Sequence, residues 1–161
     1  MPVKPGPKQE SAWDYPRPPR LERSVEVVEV IFGGALVAST REAWRVLETS
    51  HPPTYYLPAD AFVGGVLRPT AGSSVCEWKG RAAYLDIVHR GLVAPATAWT
   101  YPSPTPTFAA ITGHVALYPG AVDECRVDGE VVLSQAGGFY GGWITSRVVG
   151  PFKGEPGTGG W

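Results

Sequence analysis

The sequence predicts a mainly β domain: a compact antiparallel β-sandwich or partly open barrel, with one inserted helix and an extended Gly/aromatic strap at the C-terminal end. Three observations lead there. Short segments rich in Val, Ile and Tyr recur along the chain. Turns that accept positive φ separate them, among them Gly33-Gly34, Lys79-Gly80 and Asp128-Gly129. Only one stretch carries a clear helical pattern, so strands do not alternate with helices and a doubly wound α/β fold is not expected. The 161 residues suit one domain with a real core, and the 20 Gly and 17 Pro make it loop-rich.

Residues 1–20 form a Pro-rich arm holding Pro2, Pro5, Pro7, Pro16, Pro18 and Pro19. Proline at this density favours extended polyproline II, either free or pinned to the domain by Trp13 and Tyr15. Residues 21–136 form the β-rich core domain. Ser24 to Phe32 reads as a strand, Gly33-Gly34 as a two-residue turn, and Ala35 to Ala38 as the returning strand. Ser39-Thr40-Arg41-Glu42 then fits a capping box, and Ala43, Trp44, Val46 and Leu47 follow at helical spacing. A helix is therefore expected over residues 40–49, stopped before Pro52-Pro53.

Tyr55-Tyr56-Leu57 reads as a short strand, and Phe62 to Leu67 as another. Ser74 to Trp78 and Arg81 to Val88 form a hairpin around Lys79-Gly80, and His89-Arg90-Gly91 turns the chain into Leu92-Val93-Ala94. Residues 102–107 read Pro-Ser-Pro-Thr-Pro-Thr, a loop; Phe108 to Ile111 adds a helical turn, and His114 to Tyr118 a strand. Cys125 to Val127 and Glu130 to Leu133 flank Asp128-Gly129, the strongest hairpin signal in the chain. Residues 137–161 form a separate extension in which nine of 25 residues are Gly, beside Phe139, Tyr140, Trp143, Phe152 and Trp161. Large aromatics are foreign to a flexible linker, so this strap is expected to dock on the domain.

Charge and composition remove several function classes. With 14 basic and 15 acidic residues, and an acidic core domain, the chain has no field to attract nucleic acid, and none is expected as a partner. No stretch approaches the length of a membrane span, and Met1 to Gly6 has no apolar core of a secretory signal, so a cytoplasmic protein with reduced thiols is expected. Cys76 and Cys125 are too few for a disulfide framework or a four-ligand zinc site, and no metal or cofactor is expected. Dinucleotide, P-loop, lipase-type and zincin motifs are all missing.

The chemistry-bearing residues gather in the irregular segments. Pro52-Pro53 fixes the backbone after His51, which presets an imidazole for binding or catalysis or merely ends a helix. Trp99 and Tyr101 are two apart and present to one side of an extended chain. With Tyr55 and Trp78 they suggest an aromatic wall for a planar or cationic ligand, or else core filling. Lys79 stands beside Trp78 in the hairpin turn.

Four runs, in this order, resemble a family: Leu47 to Pro58, with its Ser50-His51-Pro52-Pro53-Thr54-Tyr55-Tyr56; Cys76-Glu77-Trp78-Lys79-Gly80; Ala98-Trp99-Thr100-Tyr101-Pro102 with Pro104; and Val122-Asp123-Glu124 with Val127-Asp128-Gly129-Glu130. The family is domain of unknown function 427, which also carries a nucleotidyltransferase-like label. The resemblance implies a β-tent-like domain in which His51, Tyr55, Trp78, Lys79, Trp99 and Tyr101 line one pocket. Zinc-binding relatives of the β-tent group use paired CxxC motifs, which this chain lacks. Gly72-Ser73 is followed by no Asp-x-Asp, Asp86 standing alone, so the label brings no mechanism with it. Gly137 to Trp143 and Gly150 to Gly154 resemble an extension of mostly actinobacterial members, which implies a bacterial protein.

Three functions are then expected in order. The first is a small-molecule-binding β domain, with Tyr55, Trp78, Trp99 and Tyr101 as walls and His51 and Lys79 as polar contacts. The second is an enzyme using His51 as general acid/base and Lys79 as anion stabiliser. The third is a protein-interaction module, or a homo-oligomer, joined through the Pro-rich arm and exposed tryptophans.

Overall fold

The computed structural model describes residues 2–137 and 140–161. The expectation for Phe139 lies outside the described residues. Along the chain run β1 (Glu10–Ser11), β2 (Arg20–Arg23), β3 (Val28–Phe32), β4 (Ala35–Thr40), β5 (Trp44–Leu47), β6 (Thr54–Pro58), β7 (Leu67–Cys76) and β8 (Gly80–His89). They are followed by β9 (Leu92–Thr100), β10 (His114–Leu117), β11 (Glu124–Val127), β12 (Glu130–Val131), β13 (Leu133–Ser134), β14 (Trp143–Ile144) and β15 (Val148–Val149). Strand makes up 46% of the structure and helix 9%, which fixes the class as mainly β without a closed barrel.

Two sheets carry the fold. One has seven strands in the order β2-β5-β6-β10-β9-β8-β7, and the other four in the order β12-β11-β3-β4. Their inner faces pack together as a sandwich, with Val28, Val30 and Val127 of one sheet against Leu57, Ile87, Ala98, Val115 and Leu117 of the other. The hairpins follow the local turn chemistry. Gly33 and Gly34, Arg90 and Gly91, and Asp128 and Gly129 all hold positive φ, the pattern of two-residue turns that match the twist of the strands.

Two expectations are corrected. The helix over residues 40–49 does not form; β5 stands there, paired to β2 on one side and β6 on the other. The local signal is real but serves a turn: the Thr40 hydroxyl accepts a hydrogen bond from the Glu42 amide at 2.9 Å. Two neighbouring strands then outweigh a weak helical propensity. The helical segments are short 3-10 turns at Ala12–Asp14, Ala59–Ala61, Pro106–Ile111 and Pro119–Ala121. Phe62 to Leu67 is not a strand: Phe62 makes a single bridge to Ala38, and β7 begins only at Leu67.

The arm and the strap bind the domain and each other. β1 pairs with β15 in parallel, and the Trp13 indole donates to the Pro151 carbonyl at 2.9 Å. Ala12, Tyr15, Leu47 and Val148 share a small core. Beside it, buried Arg45 donates to both oxygens of Glu10 in the arm, at 3.0 and 3.1 Å, and to Glu22 of β2. Burial alone would raise the Glu10 carboxyl, but Arg45 and the Tyr15 hydroxyl outweigh it and hold the carboxyl below its usual range. Trp143 of the strap is fully buried in the main core.

Candidate functional site

Strand alternation gives the seven-stranded sheet a second apolar face. On β6, Tyr55 and Leu57 point into the sandwich, and Tyr56 points out; on β9 and β10 the same parity sends Trp99 and Ala116 outward. Tyr84 of β8, Trp99 and Ala116 stand in one row across the strands. The small Ala116 leaves room for the rings beside it. Tyr56, Trp99, Tyr101, Phe108 and Ile111 thus form a second cluster, outside the sandwich.

Three irregular pieces build up around this face. The β7–β8 turn brings Trp78 and Lys79. It is tied to the Pro-rich loop, since the Thr105 hydroxyl donates to the Trp78 carbonyl at 2.6 Å and the Thr105 amide to the Lys79 carbonyl at 3.0 Å. The turn before Pro52 brings His51. Its preceding residue, Ser50, has φ +67, donates its amide to Ala12 of the arm and accepts from the Lys153 amide of the strap. The strap itself passes as Gly141-Gly142. A Cβ on Gly141 would stand 2.4 Å from the Trp99 ring, and one on Gly142 2.5 Å from Pro52. Glycine is required here by close approach.

Between these pieces lies an open groove of about 630 Å³. His51, Trp78, Lys79, Trp99 and Tyr101 all line it, five of the six residues singled out from the sequence. Tyr55 does not. It packs against Trp143 at 5.0 Å in the sandwich core, and its hydroxyl donates to Glu26 at 2.8 Å. The reason is parity: adjacent residues of a strand face opposite ways, and Tyr56 takes the place assigned to Tyr55. Sequence reasoning also missed Arg17, Tyr84, Tyr118, Tyr140 and Lys153. A signal existed for Tyr84, which is two residues from Ala82 on an alternating strand. His89 and His114 end β8 and begin β10, and neither lines the groove.

The groove's polar groups have definite states. The Thr49 carbonyl lies 2.9 Å from Nδ1 of His51, and a carbonyl only accepts, so Nδ1 carries the proton and Nε2 the lone pair. Burial lowers the imidazole below its ordinary 6.5, against the Thr49 hydrogen bond, which raises it. His51 is therefore expected to titrate below 6.5 in an NMR pH titration; a midpoint at or above that value would contradict this environment. Its sign for stability follows: the neutral ring's contribution is present above 6.5, declines as the pH falls, and is gone below the folded-state midpoint.

Three buried phenols stay protonated. Burial raises Tyr56, Tyr101 and Tyr118 above the usual phenol range. The Trp99 indole donates to the Tyr56 hydroxyl at 3.3 Å, and Trp99 packs on Tyr118 at 4.7 Å. Lys79 holds its ammonium 5.9 Å from the ring centres of both Tyr101 and Phe108. Asp86 lies elsewhere, accepting from Arg68 and from the Ala96 amide, each at 2.8 Å, at the irregular pairing of β8 and β9. It acts as a backbone brace. Among the described residues, no three His, Cys, Asp or Glu side chains gather in a way that could hold a metal ion.

Residues 20–128 match the family described as a domain of unknown function (DUF427). The chain belongs to the DUF427 family. Comparison with the curated proteins returned no match. The matched stretch runs from β2 to the turn after β11, so the DUF427 domain supplies the floor and the His51 and Lys79 sides of the groove. Arg17, Gln135, Tyr140, Gly141, Lys153 and Trp161 also line it and lie outside the matched stretch. The arm and strap thus complete a groove that the DUF427 domain begins.

Proposed function

We propose that this DUF427 protein binds a small organic molecule with a flat ring in the groove on the outer face of its seven-stranded sheet. One observation carries the reading. Trp78 and Lys79 of the β7–β8 turn, Trp99 and Tyr101 at the end of β9, and His51 before Pro52 converge around one concave space of about 630 Å³. That size lies in the range of ligand sites, and an apolar floor with a few placed polar groups is their usual make-up. No helix among the described residues is long and apolar enough to cross a membrane, and both cysteines are free thiols. These agree with a role in the bacterial cytoplasm, which we include in the proposal.

The test is a thermal-shift screen of the full chain against flat-ring compounds, repeated on Trp78→Ala. Trp78 is half-buried at a turn, so its loss should leave the fold standing. A ligand at about 100 times its dissociation constant adds about 2.7 kcal/mol, several degrees here. The variant is expected to lose most of that shift while its own ligand-free Tm stays within a few degrees. Equal shifts in both proteins would remove Trp78 from the site.

An enzyme is the second reading. It is favoured by the Nε2 lone pair of His51, ready to accept a proton at neutral pH, in the same groove as the Lys79 ammonium. Turnover of a groove ligand that is lost in His51→Gln, with binding retained, would support it. The interaction reading has less behind it. Trp143 is fully buried, and Trp13 and Trp161 pack on one another at 5.0 Å.

A further inference from the structure

We infer that the ligand of this groove is an anion: a flat ring compound bearing a carboxylate or phosphate group. The inference rests on the groove being a ligand site and adds the ligand's chemistry. Its basis is the charge left over once internal pairs are matched. Arg17 is committed, to Glu48 at 3.4 Å and to the Thr49 and Trp161 carbonyls at 3.0 and 3.2 Å. Lys79 and Lys153 also line the groove, and neither ammonium reaches a carboxylate among the described residues. Among the described residues, Lys79 stands near the rings of Tyr101 and Phe108, and Lys153 at 6.0 Å from that of Tyr140. The remaining acid, Glu77, also lines the groove, exposed on the β7–β8 turn, so two ammonium groups stand there against one carboxylate.

The other groups agree. Tyr56, Tyr101 and Tyr118 are held neutral by burial, so they bring no negative charge. A cationic ligand would need aromatic faces, but a lysine already stands over Tyr101 and Phe108. Bringing a second cation there sets like charges side by side in a partly dry site. An anion instead meets two ammonium donors, Lys79 and Lys153, at a wall of rings.

The experiment is a calorimetric titration of the full chain with four naphthalenes that differ only in one group: 1-naphthoate, 1-naphthyl phosphate, 1-naphthylmethanol and 1-naphthylmethylamine. The two anions are expected to bind about tenfold or more tighter than the alcohol, the scale of one charge-assisted hydrogen bond, and the amine most weakly. Their ranking tells carboxylate from phosphate. Lys79→Gln and Lys153→Gln should each cut the anions' affinity several-fold more than the alcohol's. An alcohol or amine that binds as tightly as the anions overturns the inference and leaves the groove reading standing. So does an anion preference that survives in the double variant, since the lysines would not be its source. If none of the four binds, both this inference and the groove reading fall.

Discussion

Trp143→Ala is expected to lower stability by about 3–5 kcal/mol, the range for removing a buried large aromatic. Trp143 is fully buried between the sheets, packs on Tyr55, and donates its indole N–H to the Leu117 carbonyl at 3.2 Å. Its backbone amide donates to the Pro53 carbonyl at 2.7 Å, two residues from His51. The substitution leaves a cavity in the main core and a carbonyl without its side-chain donor. In a thermal unfolding measurement the Tm should fall on the order of 10 °C. Trp143→Phe, which keeps most of the packing, should lose well under half as much. A loss below about 1 kcal/mol for the alanine variant would mean that the strap is not part of the core.

Gly141→Ala is the second large effect, and it acts on the groove more than on the core. The added methyl would stand 2.4 and 2.8 Å from two atoms of the Trp99 ring, closer than carbons approach. Trp99 is itself only 8% exposed and is held by Tyr56 and Tyr118, so the ring resists moving aside. The strap must lift away, at a cost of about 1–3 kcal/mol for overpacking. Lifting it displaces Tyr140 and Lys153, which flank the groove. Ligand affinity is expected to drop tenfold or more, read by calorimetry, with the sandwich core intact by circular dichroism. Unchanged affinity would show that the strap is no wall of the site.

The hairpins were legible because their information is local. Gly33-Gly34 and Asp128-Gly129 carry the positive φ that their turns require, and no distant residue is needed to read it. β5 was not legible for the opposite reason. Ala43, Trp44, Val46 and Leu47 fit a helical stripe, and only pairing to β2, more than twenty residues earlier, makes them a strand. The same divide runs through the site. Trp99 and Tyr101 share a face by their spacing once the chain there is extended, which the local sequence already indicates. Choosing between Tyr55 and Tyr56 needs to know which face of β6 meets the other sheet. Arg17 and Lys153 come from the two ends of the chain, and nothing near them in sequence marks their meeting beside His51. Docking of the strap itself was readable from its aromatics, since a tryptophan such as Trp143 has little place in a solvated linker.

The decisive measurement is a crystallographic fragment soak, with flat-ring anions in the set, that places every bound fragment on the chain. The fragments are expected to collect against Trp78, Trp99 and Tyr101, with their acidic groups towards Lys79 or Lys153. Fragments that collect elsewhere, for instance in the smaller cleft beside Arg45 and Arg147 or on the surface around Leu92 and Val93, with the groove left bare, would contradict the proposed site.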